Sequence, residues 1–339
     1  MNLTLKLVTS SAFMMCLAVI VSLTTNFSGV LADTFSATGM LNSDMRSKLT
    51  IFFLAVMMTI SLSRIPSKNL SPTEDPKALI RGIMMGLLIP SLIPIAGFLI
   101  VTAWMPDYET YSWGLVFIAA TPFAASVAPL SLILRGDMVH AARCTIYVYM
   151  AALLWIPFIV WILIGRYVEM SGLAITVFEV IGIPIIVSRF LTWVKIDKTV
   201  MAVVLNCTIF FLIWLSASAA NFKSAGLGIL AVFLVIAAVR SFGLGLIVDR
   251  GEKKFGIVWS QRVTDVLMAS YKNKGIAIAL CTGVLVGPVV GDAMVAITAS
   301  IVAEVLWVAF MDSVLFSKKR MQREIGAEGS EPGDPQVLP

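Results

Sequence analysis

Charge is what this chain has least of. Asp, Glu, Lys and Arg make up 13% of its 339 residues against 59% hydrophobic residues, and mean hydropathy is +0.94. So little polar surface excludes a soluble globule of this length and leaves an all-α polytopic membrane protein whose first partner is the lipid bilayer. Histidine is nearly missing: His140 is the only one. No metal-ligand cluster, nucleophile elbow or phosphate loop is present, so neither an enzyme nor a resident metal or cofactor is expected. His140, with Asp137 and Arg143 close in sequence, reads as a solvated residue at a helix end rather than a proton relay. Cysteine is also scarce. Cys16, Cys144, Cys207 and Cys281 lie within or beside apolar runs without paired spacing, and read as helix-packing residues. The basic residues are scattered in short clusters, which argues against nucleic acid as a partner.

What is present is a succession of apolar runs. Stretches of about 20 apolar residues are needed to cross a bilayer, and ten are found, near 8–30, 48–64, 79–104, 111–134, 139–165, 171–190, 199–219, 225–248, 258–287 and 291–316. Pro90, Pro94, Pro122, Pro129, Pro184, Gly275 and Pro288 fall inside or beside them, tolerable only where neighbours satisfy the freed backbone. With the amino terminus inside, 18 of the 25 Lys and Arg residues lie on the inner side and four on the outer. That asymmetry places both termini in the cytoplasm, in the inner (plasma) membrane. The opening residues also imitate a secretory signal, with Lys6, an apolar run over 12–23 and Val30-Leu31-Ala32. The uncleaved reading keeps the charge asymmetry. The tail over 318–339, rich in Gly, Glu and Pro from Glu324 onward, reads as disordered and cytoplasmic.

One break in the ninth run stands out: Tyr271-Lys272-Asn273-Lys274-Gly275. Ammonium groups at membrane depth persist mainly where they bind, pair or relay something, so this break is the candidate site. The fourth run is interrupted too, by Thr121-Pro122-Phe123-Ala124-Ala125-Ser126-Val127-Ala128-Pro129. Ten spans divide into two sets of five, 1–170 and 171–317, and an odd number per set inserts the second upside down. Interrupted helices at corresponding places in two inverted repeats are the design of secondary transporters, with the site near the midplane. Both interruptions fall fourth of five.

The run from Ala120 to Pro129, continuing through Leu134-Arg135-Gly136-Asp137, resembles the fourth helix of the bile acid:sodium symporter family, whose kin include arsenite exporters and plastid organic-anion carriers. Lys272 to Leu280 resembles that family's ninth-helix segment, where an Asn-x-Gly step precedes small and aliphatic residues. The resemblance implies a core domain holding two crossed broken helices, a panel domain from the first two helices of each repeat, alternating access, and organic-anion substrates carried with sodium. The chain departs from the pattern where sodium is bound. The family's Ser-Asn pair after the fourth-helix proline is Val127 and Ala128. Its ninth-helix Glu is Met268, its Gln-Asn pair is Lys272 and Asn273, and its third-helix Gln is Met85 before Pro90. Only Thr145 keeps a plausible sodium ligand. Hard cations need several oxygens, usually with negative charge among them, so the family's sodium sites are expected to be lost.

The expected function is transport of a small organic anion. Thr121, Pro122, Ser126, Pro129, Tyr271, Lys272, Asn273 and Lys274 are its candidate substrate residues, and the positive helix ends hold the anion. Lys272, Asp265 and Thr145 are candidates for coupling, by a proton, by exchange or by none. Asp265, seven residues before Lys272, shares roughly its helical face. The blander readings are a Lys272–Asp265 structural bridge, lysines in an aqueous vestibule, Asp265 at a helix end, a merely kinked fourth helix, and Ser126 bonded to its own helix. Arg240 reads as snorkelling, and Glu179 and Glu304 show no obvious partner. Sodium symport with relocated ion sites and a non-transporting sensor are the rival functions. Sequence leaves pantoate, pyruvate, sterol-like acids and metalloid oxyanions open as cargo, although Thr121 stands where arsenite exporters carry cysteine. A monomer is plausible.

Overall fold

Apolar runs become helices because a bilayer offers the backbone no other partner. The computed structural model describes residues 7–35, 38–63, 65, 76–193, 197–218 and 220–328. Lys6, Arg64, Lys68 and Lys195, used above in orienting the chain, and the tail from 329 lie outside the described residues. The helices are α1 (Ser11–Ser28), α2 (Ser43–Ser63), α3 (Pro76–Ile83, continuing over Met84–Leu88 and Ile89–Trp104), α4 (Glu109–Ala120), α5 (Val127–Ile133) and α6 (Met138–Ile164). They continue with α7 (Met170–Val177, Phe178–Gly182, Ile183–Leu191), α8 (Lys198–Ala217) and α9 (Phe222–Ala238, Val239–Gly243, Leu244–Lys254). The last are α10 (Trp259–Ser270), α11 (Lys274–Val284), α12 (Val289–Phe310, Met311–Leu315) and α13 (Lys318–Glu328). Seven of the described helices are long and apolar enough to cross a membrane: α2, α6, and the stretches Leu79–Trp104, Met170–Leu191, Thr199–Ala217, Phe222–Lys254 and Val289–Leu315. The other three expected runs coincide with α1 and with the pairs α4/α5 and α10/α11.

Proline shapes α3 and α7. Pro90 and Pro184 cannot donate to the carbonyl four residues back, and each helix widens into a π turn just before, at Met84–Leu88 and Phe178–Gly182. Two further π turns, Val239–Gly243 in α9 and Met311–Leu315 at the end of α12, have no proline, and the first carries Arg240.

Two groups of helices pack side by side. In the first, α8 lies on α1 and α2, and α7 lies on α2. In the second, α4 packs on α3, α6 and α12, α9 packs on α10 and α12, and α5 packs on α6 and α10. Helix α11 reaches across, touching α2 and α7 on one side and α4 and α12 on the other. Burial ranks the helices: 67% of the apolar stretch of α12 is buried against 22% of that of α2, so α12 is central and α2 peripheral. Leu92, Leu154, Trp193 and Leu227 point outward from the bundle, as lipid contact requires.

The tail differs from the expected disorder at its start. Residues Lys318–Glu328 form α13, held by ion pairs from Arg262, Lys253 and Arg320 to Glu324 and from Arg320 to Asp249. Pairing across elements was invisible to a reading based on local composition.

Candidate functional site

Pro122 lacks an N–H and disfavours helical backbone at the residue before it. Thr121 accordingly turns extended (φ −75°, ψ 148°) and α4 stops at Ala120. Pro129 sits third in α5, where its missing N–H would have had no helical partner. In the other interruption Tyr271 is extended (φ −119°, ψ 91°), and Asn273 restarts the helix by capping α11, its Oδ1 accepting from the Ile276 N–H at 3.0 Å.

The two unwound stretches run antiparallel and pair through a single bridge between Phe123 and Lys272. The Asn273 N–H donates to the Pro122 carbonyl at 2.9 Å and the Ala124 N–H to the Tyr271 carbonyl at 3.0 Å. Tyr149 of α6 ties the crossing: its hydroxyl donates to the Phe123 carbonyl at 2.8 Å and accepts from Asn273 Nδ2 at 2.6 Å. Thr121, Pro122, Tyr271, Lys272 and Asn273 thus meet at one point, with Lys274 beside them.

Each interrupted helix ends in carbonyls without helical donors, and a basic side chain covers each end. The Lys272 ammonium, 1% exposed, donates to the Thr121 carbonyl at 2.5 Å, Ser91 Oγ at 3.2 Å and the Ala119 carbonyl at 3.3 Å. An ammonium has three N–H donors, and all three are spent on α4 and α3. Arg240 covers the other end, donating to the Ser270 carbonyl at 3.0 Å while its second nitrogen binds Glu304. Cations at helix carboxyl ends are favoured by the helix dipole. Glu304 also accepts from the Lys272 N–H at 3.1 Å and from Lys274 Nζ at 2.6 Å. The positive end of α11, expected to hold substrate, is therefore already faced by the protein's own carboxylate. Two basic side chains and one backbone N–H thus converge on one acid.

Several expectations change. Arg240 does not snorkel: it is 1% exposed inside the bundle, and it is the partner that Glu304 lacked in the sequence reading. Asp265 does not bridge to Lys272 and is no helix-end surface residue; it is fully buried and bonded to Arg81 of α3. His140 is not solvated but buried on the first turn of α6, its Nε2 3.6 Å from Asp265 Oδ1. The Thr145 hydroxyl donates to the Ala141 carbonyl one turn back in its own helix at 2.7 Å. Glu179 lies half-buried in the π turn of α7. Sequence reasoning missed Ser91, Tyr149, Arg81 and Glu252. The polar residues among apolar runs were the available signal, but their partners were not.

Among the cavities between the helix groups, two border α11. One, of about 260 Å³, reaches the crossing and is lined by Ser126, Pro129, Tyr271 and Lys274 from one group and Met57 and Asn206 from the other. The second, of about 300 Å³, is lined by Thr50, Glu169, Thr282 and Met294. Ile278 borders the first and Thr282 the second, one turn apart on α11. Leu54 of α2 presses against Gly275, which lines the first cavity; an added Cβ there would stand 2.7 Å from Leu54 Cδ1.

At Val127, Ala128, Met268 and Met85 the chain offers no side-chain oxygen for a hard cation, and the carbonyls of Ala119 and Thr121 are occupied by the Lys272 ammonium. No curated protein matches the chain. The model of the sodium bile acid symporter family matches residues 49–232, more than half of the chain and including the first interruption but not the second. The chain belongs to the sodium bile acid symporter family.

Proposed function

We propose that this protein is a secondary active transporter of a small organic anion, working by alternating access and without the sodium sites of its family. Ten spans, read as two inverted sets of five, supply the frame, in which α4/α5 and α10/α11 count as the fourth and ninth spans. The observation that carries the reading is the charge imbalance at the crossing. The Arg240 and Lys274 side chains share the single carboxylate of Glu304, the buried Lys272 ammonium is met by carbonyls and a hydroxyl, and Lys274, with its side chain 10% exposed, borders the cavity. An anion entering there completes the balance, competing with Glu304 for Lys274. Lys272 acts as a tethered cation that holds the crossing where relatives place an ion. Two cavities separated by one turn of α11 suit a site exposed alternately to either side as one helix group rocks against the other.

The cavity also limits the cargo. A dry cavity of 150 Å³ accepts benzene, so about 260 Å³ accommodates roughly ten non-hydrogen atoms on the same scale. That favours a short branched carboxylate over a sterol-like acid. Uptake of a panel of small carboxylates into proteoliposomes, with sodium or potassium outside, tests the reading. Saturable uptake equal in both salts, and lost in Lys274→Gln, is expected. Uptake driven by a sodium gradient, or unchanged in the variant, overturns it.

A further inference from the structure

Away from the crossing, four helices of the second group bring ionisable side chains to one point. Arg81 of α3 donates through Nη2 to Glu252 Oε1 of α9 at 2.7 Å and through Nε to Asp265 of α10. His140 of α6 stands 3.6 Å from Asp265 Oδ1. Asp265 is fully buried and Glu252 is 7% exposed, and both carboxylates contact the same nitrogen, Nη2, of Arg81. One guanidinium thus faces two carboxylates. The remaining oxygens, Asp265 Oδ1 and Glu252 Oε2, are buried without a hydrogen-bond donor.

Asp249, a turn before Glu252 on α9, and Arg262, a turn before Asp265 on α10, bond each other and α13. On α6, His140 contacts Cys144 at 3.6 Å, and Arg143 lies in the turn that follows His140. Two carboxylates gathered on one guanidinium nitrogen cannot both ionise cheaply in a buried site, and a buried acceptor without a donor is rare. A single proton answers both demands: it supplies an O–H donor between the acids and leaves one negative charge against Arg81.

We infer that Glu252 and Asp265 form a shared-proton site, flanked by Arg81 and His140, that carries the coupling proton of this transporter. The word coupling rests on the transport reading; the proton site does not. Arg81, with its side chain 24% exposed, links the buried acids to water. Asp265 lies on the helix that ends at Ser270 in the crossing, so a change of charge there acts on the element that bears the site. One proton carried with one monocarboxylate moves no net charge.

Infrared difference spectra of the full chain in lipid nanodiscs, recorded from mildly alkaline to mildly acidic pH, read the proton directly. A protonated-carboxyl C=O band should grow on acidification and vanish in both Glu252→Gln and Asp265→Asn. Where those variants fail to fold, Arg81→Lys keeps the charge but loses the forked contact, and should move the midpoint of the band. A spectrum without a titrating carboxyl band, or one indifferent to all three substitutions, sinks the inference while intact uptake leaves transport standing. In proteoliposomes an inward proton gradient should raise carboxylate uptake several-fold. A titrating band with uptake indifferent to that gradient overturns the coupling role.

Discussion

Lys272 and Lys274 stand two positions apart and have different work. Both were legible as charges at membrane depth, but Lys272 spends its ammonium on carbonyls of α4 whereas Lys274 borders the cavity. Removing the ammonium in Lys272→Met leaves the ends of α4 without donors, at a cost of about 1–3 kcal/mol for a buried group left unsatisfied. Thermal unfolding in detergent should show that loss, while Lys274→Gln should unfold near the wild-type temperature and lose anion affinity instead. Tyr149→Phe strips the Phe123 carbonyl of its donor and should also cost about 1–3 kcal/mol by the same assay. The role of Tyr149 was hidden because its partner Asn273 is 124 residues away in sequence.

At the scale of elements, close approach decides which helices can cross. A Cβ at Gly114 would stand 2.1 Å from the Ala293 carbonyl, so only glycine lets α4 touch α12. Gly114→Ala should therefore destabilise by at least about 1–3 kcal/mol, the usual cost of overpacking, seen as a lower unfolding temperature. The docking of α13 is instead electrostatic. Partial burial raises the Glu324 carboxyl, but hydrogen bonds from Lys253, Arg262 and Arg320 outweigh it and hold the group below its ordinary value. A depressed carboxyl stabilises the docked state above its unfolded pKa of about 4.3, and that stabilisation is lost as pH falls through the folded value. Amide exchange should find α13 protected at neutral pH and released below about pH 4, with salt weakening the protection.

For the whole molecule, the contact between Leu54 of α2 and Gly275 at the start of α11 is where the two helix groups meet beside the crossing. A disulfide between cysteines introduced at these two positions, with Cys16 and Cys207 replaced by serine, should arrest uptake and release it on reduction. Uptake unaffected by the closed disulfide would mean that the groups do not move apart there.

Membrane residence and both helix interruptions were determined by the sequence alone, because hydropathy, a missing proline N–H and an asparagine cap act within a few residues. The family resemblance rested on those same local runs. The partners of the buried charges were decided only by tertiary structure. Arg240 and Glu304 are 64 residues apart, and Arg81 and Asp265 are 184 apart. A buried charge takes whichever opposite charge packing brings within a few ångströms, and packing between helices is set by contacts that no local pattern encodes.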